Sequence, residues 1–232
     1  MEQLPSHVSS RFDENLSKLR TMMLSMGGIA EAHVADALAS LLEGDIERSE
    51  NAKKDHQIDQ LEMSIDDLAV STIARFQPTA NDLRMIITIV KAVTDIERIG
   101  DKAEKIADLV PEVAPVLKEG GFNGHLKVMS KTVMSMLHDT LDSFARMDAI
   151  AAEEIIRRDR HVNEEYDAVY KVLLAYMTSH PEATERSLKV LACMRAIERI
   201  GDHCTNIAEY VVFQVRGKDI RHVVPSNEIT SS

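Results

Sequence analysis

The chain has 232 residues, and its 27 Lys and Arg against 38 Asp and Glu leave a formal net charge of −11. That field repels phosphate backbones and anionic lipid, which argues against a nucleic-acid or membrane-surface protein. Only 4% of the residues are aromatic, with no Trp, while 44% are hydrophobic, so packing by Leu, Ile, Val, Met and Ala in helices suits the chain better than a β-sandwich. Two cysteines, Cys193 and Cys204, are too few for a disulfide framework. The N-terminal MEQLPSHVSSRFDENL has no basic n-region and no apolar h-region, and no apolar run approaches a membrane span. The expectation is a cytoplasmic protein.

In chain order, the first predicted helix runs from about Ser9 to Glu43, and the second from Asp45, a candidate N-cap, to about Arg75. Thr79-Ala80-Asn81-Asp82 has the pattern of a capping box opening a third helix. KEGGFNGH (residues 118–125) breaks the pattern. The sequence then repeats itself. DALASLLEGD (36–45) aligns with DTLDSFARMD (139–148), and KKDHQIDQLEMSI aligns with RRDRHVNEEYDAV. RFQPTANDLR aligns with TSHPEATERS, where Ser179-His180-Pro181-Glu182 gives a second capping-box pattern, and Asp148 is the counterpart of the Asp45 cap. IERIGD occurs at 96–101 and again, letter for letter, at 197–202. No alternating strand pattern is present. The chain is predicted to be all-α, with two tandem pseudosymmetric three-helix bundles covering 1–117 and 125–216 and a loose tail over 217–232.

On a helical wheel, Leu83, Ile86, Val90 and Val93 form an apolar stripe that continues into Glu97, Asp101, Glu104 and Asp108. In the second unit, Leu188, Leu191 and Met194 lead into Glu198, Asp202, Thr205 and Glu209. Like charges at i, i+4 repel, and burying them unpaired is costly, so positive charge is required nearby. Arg98 and Arg199 point about 100° away from their glutamates and are expected to serve another helix. A bound cation is the alternative, because hard cations take several oxygen ligands at once. The second helix supplies a matching pair, Asp55 and Asp59, with Asp159 and Asn163 as counterparts. Facing pairs across a bundle make a carboxylate cage. Gly100 and Gly201 are expected to allow a close approach of another backbone or room for a ligand, at about 1 kcal/mol relative to Ala in a helix interior.

With these features the chain resembles the PhoU family, the accessory and regulatory proteins of bacterial phosphate-specific transport. The resemblance rests on the tandem repeat, both ERIGD segments, the MGG at Met26, Gly27 and Gly28, and QPTANDLR. It covers the chain from about Ser9 to His222. It implies two three-helix bundles, a homodimer, and metal clusters on E(D)xxxD pairs holding iron, manganese or magnesium. Carried onto this sequence, the ligands are Asp55, Asp59, Glu97 and Asp101 in one site. Asp159, Asn163, Glu198 and Asp202 form the other, where Asn163 replaces a carboxylate. The resemblance also implies a negative regulator of phosphate-starvation signalling with no enzymatic activity. Its implied partners are the ATP-binding subunit of the phosphate ABC transporter and a membrane sensor histidine kinase.

Two other readings compete. A metal-free helical scaffold would dock its acidic face on a basic partner. A carboxylate-bridged di-iron enzyme needs E-x-x-H ligands, and no histidine here has Glu three residues before it. No P-loop, GxGxxG or nucleophile elbow occurs.

Overall fold

The structure is a computed structural model that describes residues 6–53, 56–121 and 123–217. Six long helices carry the fold: α1 (Ser6–Glu43), α3 (His56–Phe76), α4 (Ala80–Glu119), α5 (Asn123–Arg146), α6 (Ala149–Ser179) and α7 (Thr184–Arg216). A single short turn of helix, α2 (Ile46–Ser49), and two 3₁₀ turns (Glu50–Lys53 and Pro181–Ala183) connect them. There is no strand among the described residues. The all-α expectation holds, and the two long helices α4 and α7 form the most extensive pair. The predicted loose tail, apart from Gly217, lies outside the described residues.

Both predicted aspartate caps are formed. Asp45 accepts from the Arg48 amide, and Asp148 accepts from the amides of Ile150 and Ala151, each satisfying amides that a helix leaves unpaired at its start. The two capping boxes are not. Thr79 sits at the N-cap of α4 in extended geometry, but its side chain makes no capping bond. Instead its carbonyl accepts from Asp82 N at 3.0 Å. Ser179 is the last residue of α6, and its hydroxyl bonds back to the Ala175 carbonyl at 3.1 Å rather than forward. Pro181 lacks an amide hydrogen and tightens the entry into a 3₁₀ turn, which delays α7 to Thr184.

The second helix of the first unit is not the single element predicted from Asp45. It breaks after Ser49, where α2 gives way to the 3₁₀ turn Glu50–Lys53. In the second unit α6 runs unbroken from Ala149 to Ser179.

The predicted apolar stripe also needs correction. The buried face of α4 runs through Ile86, Ile89, Val93, Ile96, Ile99 and Ala103, whereas Leu83 is 37% exposed. In α7 the buried face includes Val190, Met194, Ile197, Ile200 and Cys204, with Leu188 left exposed. The core face is rotated relative to the predicted one. Glu97, Asp101, Glu104 and Asp108 therefore flank the core instead of interrupting it, and only Glu97 among them is not exposed. In α7 the same rotation places Glu198 beside the core.

The two units do not have separate interiors. One continuous hydrophobic cluster includes Met26 of α1, Ile96 of α4, Phe144 of α5 and Ile197 of α7. α4 and α7 run antiparallel. Arg84 stacks over Phe213 and Lys91 over Tyr210, while further along Glu112 pairs with Lys189. Gly27, one of the MGG glycines, is where α1 meets α5: a Cβ there would collide with Leu141 Cδ2.

Candidate metal centre

The first candidate site lies where α3 passes α4. Asp59 from α3 and Glu97, Asp101 and Glu104 from α4 line one cavity of about 510 Å³. Asp55 lies outside the described residues. Glu97 is the least exposed member: its side chain is 18% exposed, and its Oε2 is buried without a hydrogen bond. Burial pushes the Glu97 carboxyl up, and Asp101 and Asp59 push the same way against the opposing Arg98 and Lys102. Arg98 Nε approaches Glu97 Oε2 at 3.4 Å, and Arg98 Nη1 approaches Asp101 Oδ2 at 3.4 Å. Arg98 therefore serves its own helix, contrary to the wheel-based expectation, because its long flexible side chain wraps back over the i−1 and i+3 carboxylates.

The second site lies where α6 passes α7. Asp159 is the counterpart of Asp55, and here it is described. Asn163 Nδ2 donates to Asp159 Oδ2 at 2.9 Å, while Asp159 Oδ1 is buried with no partner. Burial raises the Asp159 carboxyl to about 6, with Asp202 and Glu198 adding to the rise and the Asn163 bond opposing it. Glu198 is 13% exposed and its Oε2 is likewise buried without a hydrogen bond. Its carboxyl is raised, first by burial and then by Asp202, with Arg195 and Arg199 opposing. Arg199 Nη1 lies 2.8 Å from Asp202 Oδ2, again on its own helix. The structure thus brings Asp159, Asn163, Glu198 and Asp202 into one neighbourhood.

The glycine of the hexapeptide has a specific role in the second unit. A Cβ on Gly201 would stand 3.1 Å from Asp159 Oδ1, so glycine leaves the carboxylate room against α7. In the first unit a Cβ on Gly100 would meet Ile58 Cδ1 at 2.9 Å.

The donor chemistry fits a cation: oxygen ligands in each unit, with three buried carboxylate oxygens left without hydrogen bonds on Glu97, Asp159 and Glu198. As they stand, no three His, Cys, Asp or Glu side chains among the described residues converge closely enough to share one ion. An ion held by three or more of them must draw its donors in. Sequence reasoning missed Glu62, His33 and His56. Glu62 is raised by burial and then by Glu97, and the two histidines line the same cavity as Asp59 and Glu97. The i, i+3 spacing from Asp59 to Glu62 was a readable signal; His33 on α1 had none.

The PhoU domain profile matches residues 23–110 and 126–211, one copy on each unit. The chain belongs to the PhoU family. It is 40% identical to the phosphate-specific transport system accessory protein PhoU homolog of Pseudomonas putida, covering 96% of this chain and 87% of that protein. It is 37% identical to the phosphate-specific transport system accessory protein PhoU of Escherichia coli, covering 95% and 91%. The crystal structure of PhoU from Pseudomonas aeruginosa superposes with a TM-score of 0.83 at 39% identity, covering 89% of this chain and all of that one. The PhoU structure from Streptococcus pneumoniae gives a TM-score of 0.81 at 30% identity, covering 90% and 98%. These names describe accessory proteins, and the chain is a PhoU-family member rather than an enzyme. No described helix is long and apolar enough to cross a membrane.

Proposed function

We propose that this PhoU-family chain is a cytoplasmic, metal-binding accessory protein of phosphate-specific transport that restrains phosphate-starvation signalling. In this reading it acts as a homodimer. It links the phosphate ABC transporter, through the ATP-binding subunit, to a membrane sensor histidine kinase. The transport role is supported by the names of relatives that match nearly the whole chain. The metal role is supported by one observation above the others: both copies of IERIGD place a mostly buried glutamate with an unbonded oxygen beside further carboxylates.

Asp55, Asp59, Glu97 and Asp101 would hold an ion in the first unit, and Asp159, Asn163, Glu198 and Asp202 in the second. Iron, manganese and magnesium all accept such oxygen donors. When bound, the ion supplies positive charge that offsets the carboxylates and ties α3 to α4 or α6 to α7. Arg98 and Arg199 offset part of that charge from the exposed side, and Asn163 lowers the charge of the second site by one.

A metal-free scaffold is the second reading. The arginine–carboxylate pairs on α4 and α7 favour it, since they already supply some of the positive charge the acidic face needs.

The regulatory role is tested by deleting the gene for this chain. Phosphate-starvation genes are then expected to be expressed even in abundant phosphate, as read by alkaline phosphatase reporter activity. Normal repression in the deletion strain contradicts a restraining role.

A further inference from the structure

Among the described residues Asp95 is the one buried side chain that bears a carboxylate, at 7% exposure. It stands on α4 at the contact with α7. Its Oδ1 accepts from His203 Nδ1 at 2.7 Å, which places the ring hydrogen on Nδ1, and from Asn206 Nδ2 at 2.9 Å. His203 is itself only 17% exposed on its side chain. Burying a carboxylate is costly unless it is well bonded, so these two bonds both satisfy Asp95 and fasten α4 to α7.

The fastening breaks the pseudosymmetry of the chain. By the repeat alignment the counterpart of Asp95 is Ala196, and those of His203 and Asn206 are Lys102 and Lys105. The clamp therefore has no counterpart on the other side of the helix pair.

Its position relative to the candidate ligands is what gives it a further role. Asp95 precedes Glu97 by two residues, about 3 Å along the helix axis. His203 directly follows Asp202, and Asn206 lies one turn beyond it on the same face. Among the described residues no three carboxylates of either site converge as they stand, so an ion held by three of them shifts side chains or the helices that carry them. A shift of this stretch of α4 is passed to this stretch of α7 through short, mostly buried bonds. We infer that the Asp95–His203–Asn206 clamp couples the two candidate metal sites, so that filling one alters the affinity of the other. This rests on the metal-binding reading and adds to it the route by which the units communicate.

The test uses the full chain, stripped of metal by chelator and titrated with Mn²⁺ by calorimetry at one fixed pH. Crippling the first site with Glu97→Ala/Asp101→Ala is expected to change the Mn²⁺ affinity of the second by about fivefold or more. In an Asp95→Ala background the same double substitution is expected to leave the second site unchanged. Asn206→Ala removes only one donor and provides a milder variant if Asp95→Ala does not fold; it is expected to weaken the coupling. Uptake at both sites with no effect of the first on the second overturns the clamp's role and leaves the metal reading intact. Coupling that survives both clamp variants overturns it equally. Absence of Mn²⁺ uptake at either site overturns the coupling and the metal reading together.

Discussion

Asp159 shows at the level of one side chain what the hexapeptide is for. Its carboxylate sits against Gly201, loses solvent and is pushed up to about 6. The sign follows from linkage: a carboxyl whose folded value lies above its unfolded 3.8 binds more protons when folded across that window. Metal-stripped protein is therefore expected to lose stability as pH rises from about 4 to 6, and Asp159→Asn is expected to flatten that slope, read by chemical denaturation at several pH values. A slope unchanged by the substitution contradicts the assignment. Gly201→Ala is expected to displace the Asp159 carboxylate and cost about 1–3 kcal/mol, as overpacking does. Gly100→Ala is expected to cost less, since the obstructing atom is the terminal methyl of the Ile58 side chain, which can rotate. Paired denaturation curves decide the order. The carboxylates and glycines of both sites were legible in the sequence because they recur at matching positions. Their true relation to the core was not, since a wheel drawn from Leu83 and Val90 misses the α4 face through Ile89 and Ile96 that is fully buried. The reach of Arg98 and Arg199 over their own helices was missed for a related reason, because a wheel fixes where a side chain starts and not where a long one ends.

At the scale of an element, helix ends separate what pattern predicts from what geometry delivers. Asp148 satisfies two amides of α6 at 2.9 and 3.1 Å, so Asp148→Ala is expected to cost about 1 kcal/mol in thermal or denaturant unfolding. Thr79→Ala at the start of α4 is expected to be nearly neutral, because the hydroxyl makes no capping bond. A cost at Thr79 equal to that at Asp148 contradicts this. Both positions carry residue types that cap helices, and the difference lies in the turns before them. Asp148 directly follows Met147, whose φ is positive, whereas the positive φ values around Thr79 fall two residues before it, at Gln77, and one after it, at Ala80. The short α2 was equally hidden, since residues 46–53 carry no Gly or Pro to mark a break.

Across the whole molecule, repeat order and the all-α class followed directly from the sequence, while the sharing of one core by both units did not. Tandem repeats suggest two bundles, but the apolar cluster runs without interruption from α1 to α7 and α4 lies along α7. Thermal unfolding of the metal-free chain is accordingly expected to show a single cooperative transition, and two resolved transitions would contradict a shared core. Across the molecule the duplicated feature is a carboxylate-lined site in each unit. Its most direct test is elemental analysis of the protein purified without chelator, beside a variant carrying Glu97→Ala, Asp101→Ala, Glu198→Ala and Asp202→Ala. The prediction is stoichiometric metal in the natural chain and none in the variant; a metal-free natural chain, or equal metal in both, would contradict it.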